Sequence, residues 1–456
     1  MSAFAIISAA EGPVTALDFI SDGDLEAALA ACDPLARQLA VLQDFRAQPG
    51  RVLMAPGGGG AWCAWVGLGA RRDPWAAGDL TDRLPAGVYG VRSAPVGFDV
   101  GAALFAAALG AYRFAAYKSR EARAVQFVAP PGFNMARAQR LWTAQCLVRD
   151  LVNAPANDLG AEALAEAALQ VGAAGGARAR VVVGDELLAQ NYPLIHAVGR
   201  AAAQRPRYVE LVWGEGRGAK LAIVGKGVTF DSGGLDIKTG GSSRLMKKDM
   251  GGAAHALALA QAVMDADLKV ELSVHVPIVE NAISGDSFRP GDIIRSRKGL
   301  SVEIDNTDAE GRLILADALA RACELGPELV VDFATLTGAA RVALGPDLPA
   351  TYTDDDALWS ELAAAGAAER DPLWRMPMWD AYQSELESPI ADMKNSGGAM
   401  GGSITAALFL KRFVAAPSWV HMDVYSWNPK DRPGRPQGGD AQGLRAVYAL
   451  LERRYS

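Results

Sequence analysis

The chain has 456 residues, of which 50% are hydrophobic and 21% charged. That composition excludes wholesale disorder and supplies core for two domains, with three as a lesser alternative. With 45 Lys and Arg against 52 Asp and Glu, the net charge of −7 makes the chain a poor default candidate for binding nucleic acid or an anionic membrane.

The first residues lack a basic region ahead of an apolar one, and Glu11 and Asp18 soon follow, which argues against a secretory signal. The longest uncharged run, 52–70, is interrupted by Pro56 and by Gly57, Gly58, Gly59 and Gly60. It predicts a turn between two short apolar segments and no membrane helix. A soluble cytoplasmic protein is expected.

Residues 1–130 alternate apolar segments (51–54, 61–67) with Ala-rich helical stretches such as 102–109, the pattern of a small N-terminal α/β domain. Pro130-Pro131-Gly132 marks its end, because paired prolines deny helix to what precedes them. A linker helix is expected over 131–153, with Leu141, Ala144, Val148, Leu151 and Val152 at helical spacing and a stop near Asn153 and Pro155. Residues 154–456 then form a larger α/β domain. Strand-like runs lie there at 180–183, 208–213, 221–224, 271–276, 301–304, 328–333 and 419–424. Helical patterns at 161–171, 253–264, 313–323 and 403–414 alternate with them. Apolar strands separated by helices require a sheet buried on both faces, so a central mixed sheet flanked by helices is expected. Chemistry in such a sheet collects on loops at strand ends.

Cys32, Cys63, Cys146 and Cys323 are scattered without a CxxC pair, and His196, His255, His275 and His421 lack HExxH spacing. Neither a disulfide framework nor a thiolate zinc site is expected, so metal chemistry must rest mainly on carboxylates. Two segments collect them. In IVGKGVTFDSGGLDIKTGGSSRLMKKDMGGAA (223–254), Lys226, Asp231, Lys238 and Asp249 sit among glycines that let backbone approach a ligand closely. In EIDNTDAEGRLILADAL (303–319), an extended backbone over 308–312 would put Asp308, Glu310 and Arg312 on one side. Two acids and a guanidinium so placed suit a divalent metal beside an anion. VGKGVT is no phosphate-binding loop, since Gly227 follows Lys226 where Ser or Thr is needed, and DNTDAEG lacks EF-hand order. Either segment alone reads as a polar loop; together, at this spacing, they do not.

With these residues the chain resembles the leucyl (cytosol) aminopeptidases, a family of two-metal exopeptidases. NTDAEGRL (306–313) is the family's signature octapeptide, and GKGVTFDSGG (225–234), with Lys238 and DMGG (249–252), matches its metal-binding stretch. DLVNAPAN (150–157), ATLTGA (334–339) and NSGGAMGGSITAALFL (395–410) match as well. The likeness spans most of the second domain and is weak before residue 130. It implies that residues 154–456 are a metallopeptidase catalytic domain of a hydrolase. One divalent ion, manganese or zinc, would be held by Lys226, Asp231, Asp249 and Glu310. A second would be held by Asp231, Glu310 and Asp308, the last also through its carbonyl. Lys238 and Arg312 would be catalytic, with bicarbonate at Arg312 acting as general base. Thr335, Leu336 and Gly338 would offer backbone or surface to substrate, and Met246 would line the pocket for the N-terminal side chain. The resemblance further implies a homohexamer acting on peptides with a free N-terminus.

The chemistry of the residues is consistent with these roles. A lysine ligates only as the neutral amine, so a metal at Lys226 must displace its proton. Two divalent ions (+4), four carboxylates (−4) and Lys238 with Arg312 (+2) leave a net +2 site, about what an oxyanion formed by water attacking a peptide carbonyl favours. His255 and His421 are expected as packed histidines, Cys323 as core and Asp305 as a structural turn contact. The glycine-rich stretch 397–402 is expected to let the helix beginning near Ser403 pack closely. Tyr425 departs from the family, which often has small residues near the side-chain pocket; pointing inward, it would shrink that pocket and put a preference for leucine in doubt. A nucleic-acid-binding or architectural role is the alternative, resting only on a thin scatter of Arg137, Arg140 and Arg149 along the linker helix. A two-metal phosphate esterase is argued against by Lys226.

Overall fold

The computed structural model describes residues 3–57, 61–118 and 123–456, so the expected glycine turn lies partly outside the described residues. The chain divides into two units, one of Met1–Cys146 with Asn428–Gln437 and one of Leu147–Trp427 with Gly438–Ser456. The first holds β1 (Ile6–Ile7), β2 (Val14–Ile20), β3 (Val52–Pro56), β4 (Trp62–Gly67), β5 (Gly87–Ser93) and β6 (Val125–Val128), in sheet order β1-β6-β5-β2-β4-β3. β3 runs antiparallel to β4, and the other pairings are parallel. Helix Val100–Gly110 begins where Asp99 accepts from Ala102 N at 2.9 Å. Its Leu104, Ala107 and Ala108 share a core with Leu17, Val66 and Phe127.

The second unit contains β7 (Arg178–Val183), β8 (Arg207–Trp213), β9 (Ala219–Gly225), β10 (Gly227–Asp231), β11 (Val270–Asn281) and β12 (Ile293–Arg295). Then come β13 (Ser301–Glu303), β14 (Leu329–Ala334), β15 (Ala350–Tyr352), β16 (Trp374–Arg375), β17 (Met393–Lys394) and β18 (Ser418–Asp423). Its main sheet, nine-stranded among the described residues, runs β16-β15-β18-β14-β9-β11-β8-β7, with β10 also on β11. β11, β9, β14 and β18 are parallel neighbours, while β8 and β15 run antiparallel to β11 and β18. This is the mixed sheet flanked by helices that the strand and helix pattern predicts. Leu221, Ala222, Ile223 and Val224 are all buried because both faces are covered. Ala222 and Val224 share a core with Leu313 and Leu315, whereas Gly225 abuts Ala253 and Ala256 of helix Gly251–Asp265.

Helix Met135–Asn153 contains the division between the units. Arg149, expected with Arg137 and Arg140 as basic scatter on its surface, is instead buried, with Nη2 3.3 Å from Asp440 Oδ1. Among the described residues, no helix is long and apolar enough to cross a membrane.

The parallel strands direct their C-terminal ends to one edge of the sheet, the usual place for a site in an α/β fold. Lys226 follows β9, Asp231 ends β10, Thr335 follows β14, and Tyr425 lies just past β18.

Candidate active site

β9 and β10 lie along the same side of β11, and Lys226 stands in the break between them. The break is satisfied on both sides: Lys226 N donates to Phe333 O at 3.0 Å, and its carbonyl accepts from Ala253 N at 2.8 Å. The side chain turns into a buried site. Its Nζ lies 2.7 Å from Asp249 Oδ2 and 2.9 Å from Glu310 Oε1, and it donates to Thr335 O at 2.9 Å. Burial opposes its charge, but Asp249, Glu310 and Asp231 outweigh burial and hold Lys226 above the ordinary lysine value.

Asp231 is fixed from two directions. Its Oδ1 accepts from Gly233 N and from Asn281 Nδ2, both at 2.9 Å, and its Oδ2 lies 2.8 Å from Lys238 Nζ. Lys238 Nζ also donates to Asp308 Oδ1. Burial works against the Lys238 charge, and Asp231 followed by Asp308 overcomes it, so its pKa is raised. Gly233 has φ of +89°, and a Cβ there would stand 2.4 Å from Asp236 O and 3.1 Å from Asp308 Oδ1. Only glycine permits the turn that brings these loops together.

The expectation of an extended backbone over 308–312 is corrected: Glu310 is the first residue of helix Glu310–Glu324, and Asp308 precedes it in a turn. Glu310 and Arg312 therefore converge with Asp308 through a helix N-terminus and not through strand alternation. A carboxylate is favoured in that first turn by the helix dipole. Arg312 Nη1 donates to Asn395 O at 2.8 Å, and its buried Nε has no hydrogen-bond partner. Burial lowers the guanidinium pKa to about 10, leaving it charged at neutral pH.

Ligand oxygens of Asp231, Asp308 and Glu310 all lie within 4.8 Å of one another. Asp249 joins them through Lys226. Asp249 Oδ2 and Glu310 Oε1 are buried without a well-directed hydrogen bond, although Lys226 Nζ is within ion-pair distance of both. Burial and then the Asp231 charge raise the Asp308 carboxyl to about 6 and Glu310 to about 8. Crowded carboxylate oxygens, two of them lacking directed donors, fit hard divalent cations; Lys226 could add a nitrogen only by losing its proton.

Lys226, Asp231, Lys238, Met246, Asp249, Asp308, Glu310, Arg312, Thr335, Leu336 and Gly338 all line one cavity of about 780 Å³. Thr335 Oγ1 donates to Asp249 Oδ1 at 2.8 Å, tying the end of β14 to the acidic cluster. Tyr425 lines the same cavity. Sequence reasoning assigned no role to Asn281, Asn395, Lys248 or Arg341. Asn395 accepts from Asp305 N at 2.8 Å and donates to Asn306 O at 2.7 Å, shaping the turn before Glu310. Its place in the quoted NSGG stretch was the available signal. Lys248 and Arg341 also line the cavity.

His255 is buried, with Nδ1 2.7 Å from Gly251 O and Nε2 accepting from Gln442 N at 2.9 Å, so it is a packed histidine. His421 Nδ1 lies 2.5 Å from Asp332 Oδ1 in the sheet interior. Asp305 accepts from Ser396 Oγ at 2.5 Å, a structural turn contact. A Cβ on Gly397 would stand 3.0 Å from Thr405, so this glycine does let helix Gly402–Lys411 pack closely.

Residues 146–448 match the cytosol aminopeptidase family, catalytic domain, and residues 15–130 match the M17 aminopeptidase, N-terminal domain. A probable cytosol aminopeptidase of Syntrophotalea carbinolica is 43% identical over 321 residues, 70% of this chain, and the chain spans 65% of that relative's length. The crystal structure of a cytosol aminopeptidase from Coxiella burnetii is similar with a TM-score of 0.94 at 40% identity, covering 100% of both chains. The bottromycin maturation enzyme BotP, in complex with manganese, is similar with a TM-score of 0.86 at 34% identity, over 99% of this chain and 100% of that one. On the match to its catalytic domain, the chain belongs to the cytosol aminopeptidase family.

Proposed function

We propose that the chain is a metal-dependent aminopeptidase that hydrolyses N-terminal amino acids from peptides with water activated at a two-metal site. The observation that carries this reading is the convergence of Asp231, Asp249, Asp308 and Glu310 with Lys226, Lys238 and Arg312 on one cavity. Lys226, Asp231, Asp249 and Glu310 would hold one manganese or zinc ion, and Asp231, Asp308 and Glu310 the other. When bound, the pair would supply Lewis acidity, acidifying water and polarising the scissile carbonyl.

The chain's own groups do the rest. Lys238, positioned by Asp231 and Asp308, donates to the carbonyl oxygen as negative charge develops there, a contribution of about 3 kcal/mol for one such donor. Arg312 cannot serve as a proton carrier, because its guanidinium stays charged. It instead holds an anion, bicarbonate in this reading, which accepts the proton from water. Thr335, Leu336 and Gly338 at the β14 end orient the peptide, and Met246 faces the N-terminal side chain. The same reading places the protein in the cytoplasm as a homohexamer, which light scattering on the purified protein tests.

The direct experiment measures release from amino-acyl anilides and short peptides before chelation, after it, and after return of manganese or zinc. Turnover should vanish on chelation and return with the ion. Undiminished turnover by the stripped protein would remove the metal from the account, and no release under any condition would remove the peptidase.

A further inference from the structure

One end of the cavity carries positive charge that the chemistry above does not use. Lys248 is only 7% exposed and lines the cavity. Among the described residues its ammonium makes no hydrogen bond or ion pair; it lies over the Tyr425 ring, 5.0 Å from the centroid. Arg341, on helix Gly338–Leu344, reaches the same ring, 5.8 Å from the centroid. Its Nη2 is engaged by Asp423, but its buried Nη1 has no hydrogen-bond partner. Two cations thus share one aromatic ring, and the carboxylate of Asp423 beside them is already taken up by Leu336 N, Thr337 N, Thr337 Oγ1 and Arg341.

An ammonium withdrawn from water without a direct ion-pair partner is expensive, and a cation–π contact repays only part of that cost. The position is favourable when an anion enters from the cavity. Met246 and Tyr425 line that cavity too, so these cations share it with the residues assigned to the N-terminal side chain.

We propose that this pocket recognises the side-chain carboxylate of an N-terminal aspartate or glutamate, with Lys248 as its ion partner and Arg341 Nη1 as a second donor. Tyr425, against which both cations lie, narrows the pocket against bulky apolar side chains. This assignment rests on the aminopeptidase reading and deepens it by naming a substrate class.

The test compares kcat/KM on glutamyl, aspartyl, glutaminyl and leucyl anilides in saturating manganese or zinc. Glutamine matches glutamate in shape without its charge, so wild type should prefer glutamate by about tenfold or more. Lys248→Met should lower the glutamate-to-glutamine ratio about 10- to 100-fold, and Lys248→Arg should restore part of it. Circular dichroism establishes that each variant is folded, and Lys248→Gln supplies the ratio if the methionine variant does not fold. Equal rates on glutamyl and glutaminyl anilides, or a ratio indifferent to Lys248, overturn the proposal; leucyl turnover in the same panel leaves the aminopeptidase reading standing. Failure on every anilide counts against that reading instead. The free C-terminus of a dipeptide offers the same chemistry, so leucylglycine is set against leucylglycinamide. A Lys248 effect confined to the former would show that the cations read the peptide's end, and would also overturn the proposal.

Discussion

Gly311→Ala separates the stability of the fold from the order of the site. A Cβ on Gly311 would stand 2.5 Å from Lys226 Cε and 2.6 Å from its Nζ. Ordinary carbon contacts begin near about 3.5 Å, so the lysine tip must retreat by about 1 Å. For the fold this is cheap, because the tip of a lysine is flexible and alanine is favoured over glycine inside a helix by up to about 1 kcal/mol. For the site it is not. Lys226 Nζ is held at once by Asp249 at 2.7 Å, Glu310 at 2.9 Å and Thr335 O at 2.9 Å, and one displacement loosens all three. A shift of about 1 Å in a reacting constellation costs about 100-fold in rate. The variant should therefore melt within about 4 °C of the parent while kcat/KM on an amino-acyl anilide falls about 100-fold. Parental kcat/KM in folded Gly311→Ala would refute the placement of Lys226 in the machinery. A collapsed melting temperature would refute the separation, showing that backbone and not the lysine tip absorbs the methyl group.

Asn281→Ala removes the donor 2.9 Å from Asp231 Oδ1 and 3.1 Å from Thr307 O. Two buried acceptors are then left short, so urea unfolding should report a loss of about 1–3 kcal/mol, and kcat should fall with it; an unmoved midpoint speaks against both bonds. Calorimetry should show melting rise when chelated protein regains its ion, by about 3 kcal/mol of stability at 100 times Kd, and indifference to manganese and zinc alike contradicts the site. Burial lowers the His275 pKa to about 4, whereas an unfolded histidine titrates near about 6.5. Below that value the unfolded chain takes a proton that the folded chain refuses, so stability falls as pH drops from about 6.5 to about 4, by at most about 3 kcal/mol. Urea midpoints across this window should slope less for His275→Gln than for the parent, and identical slopes would exonerate His275.

The parallel strands were legible because β9, β14 and β18 are buried on both faces and read as short, mainly apolar runs, interrupted in β14 by Asp332 and in β18 by His421. Short strands such as Ala350–Tyr352 are too brief to show a period, and they are placed by their partners in the sheet. The acids and glycines of the site were legible as residue types at fixed intervals, but the geometry of 308–312 was not. At a helix start the first residues have no preceding turn to reveal the 3.6 period, so five residues fit strand alternation as well as a helix N-terminus. Lys248 was hidden for a different reason. In KKD it looks like any solvated charge, and only the packing of Tyr425 and Arg341 around it shows that it is buried.

The site's charges fall into two groups with different physical roles. Lys226, Asp249 and Glu310 are buried and carried by a strand break, the end of the helical segment Gly240–Met250 and a helix start, so their positions follow from backbone that the core already fixes. Lys238 and Asp308 sit on loops, with side chains 14% and 33% exposed, and they are oriented mainly by each other, Asp231 and glycine turns. Changing a buried member leaves its partners as uncompensated charge in low dielectric, a cost shared between stability and chemistry. Changing a loop member lets water replace the lost contact, so the cost falls on chemistry alone. In the proposed chemistry the buried cluster must hold its place, while Lys238 on its loop must follow charge as it develops on the substrate.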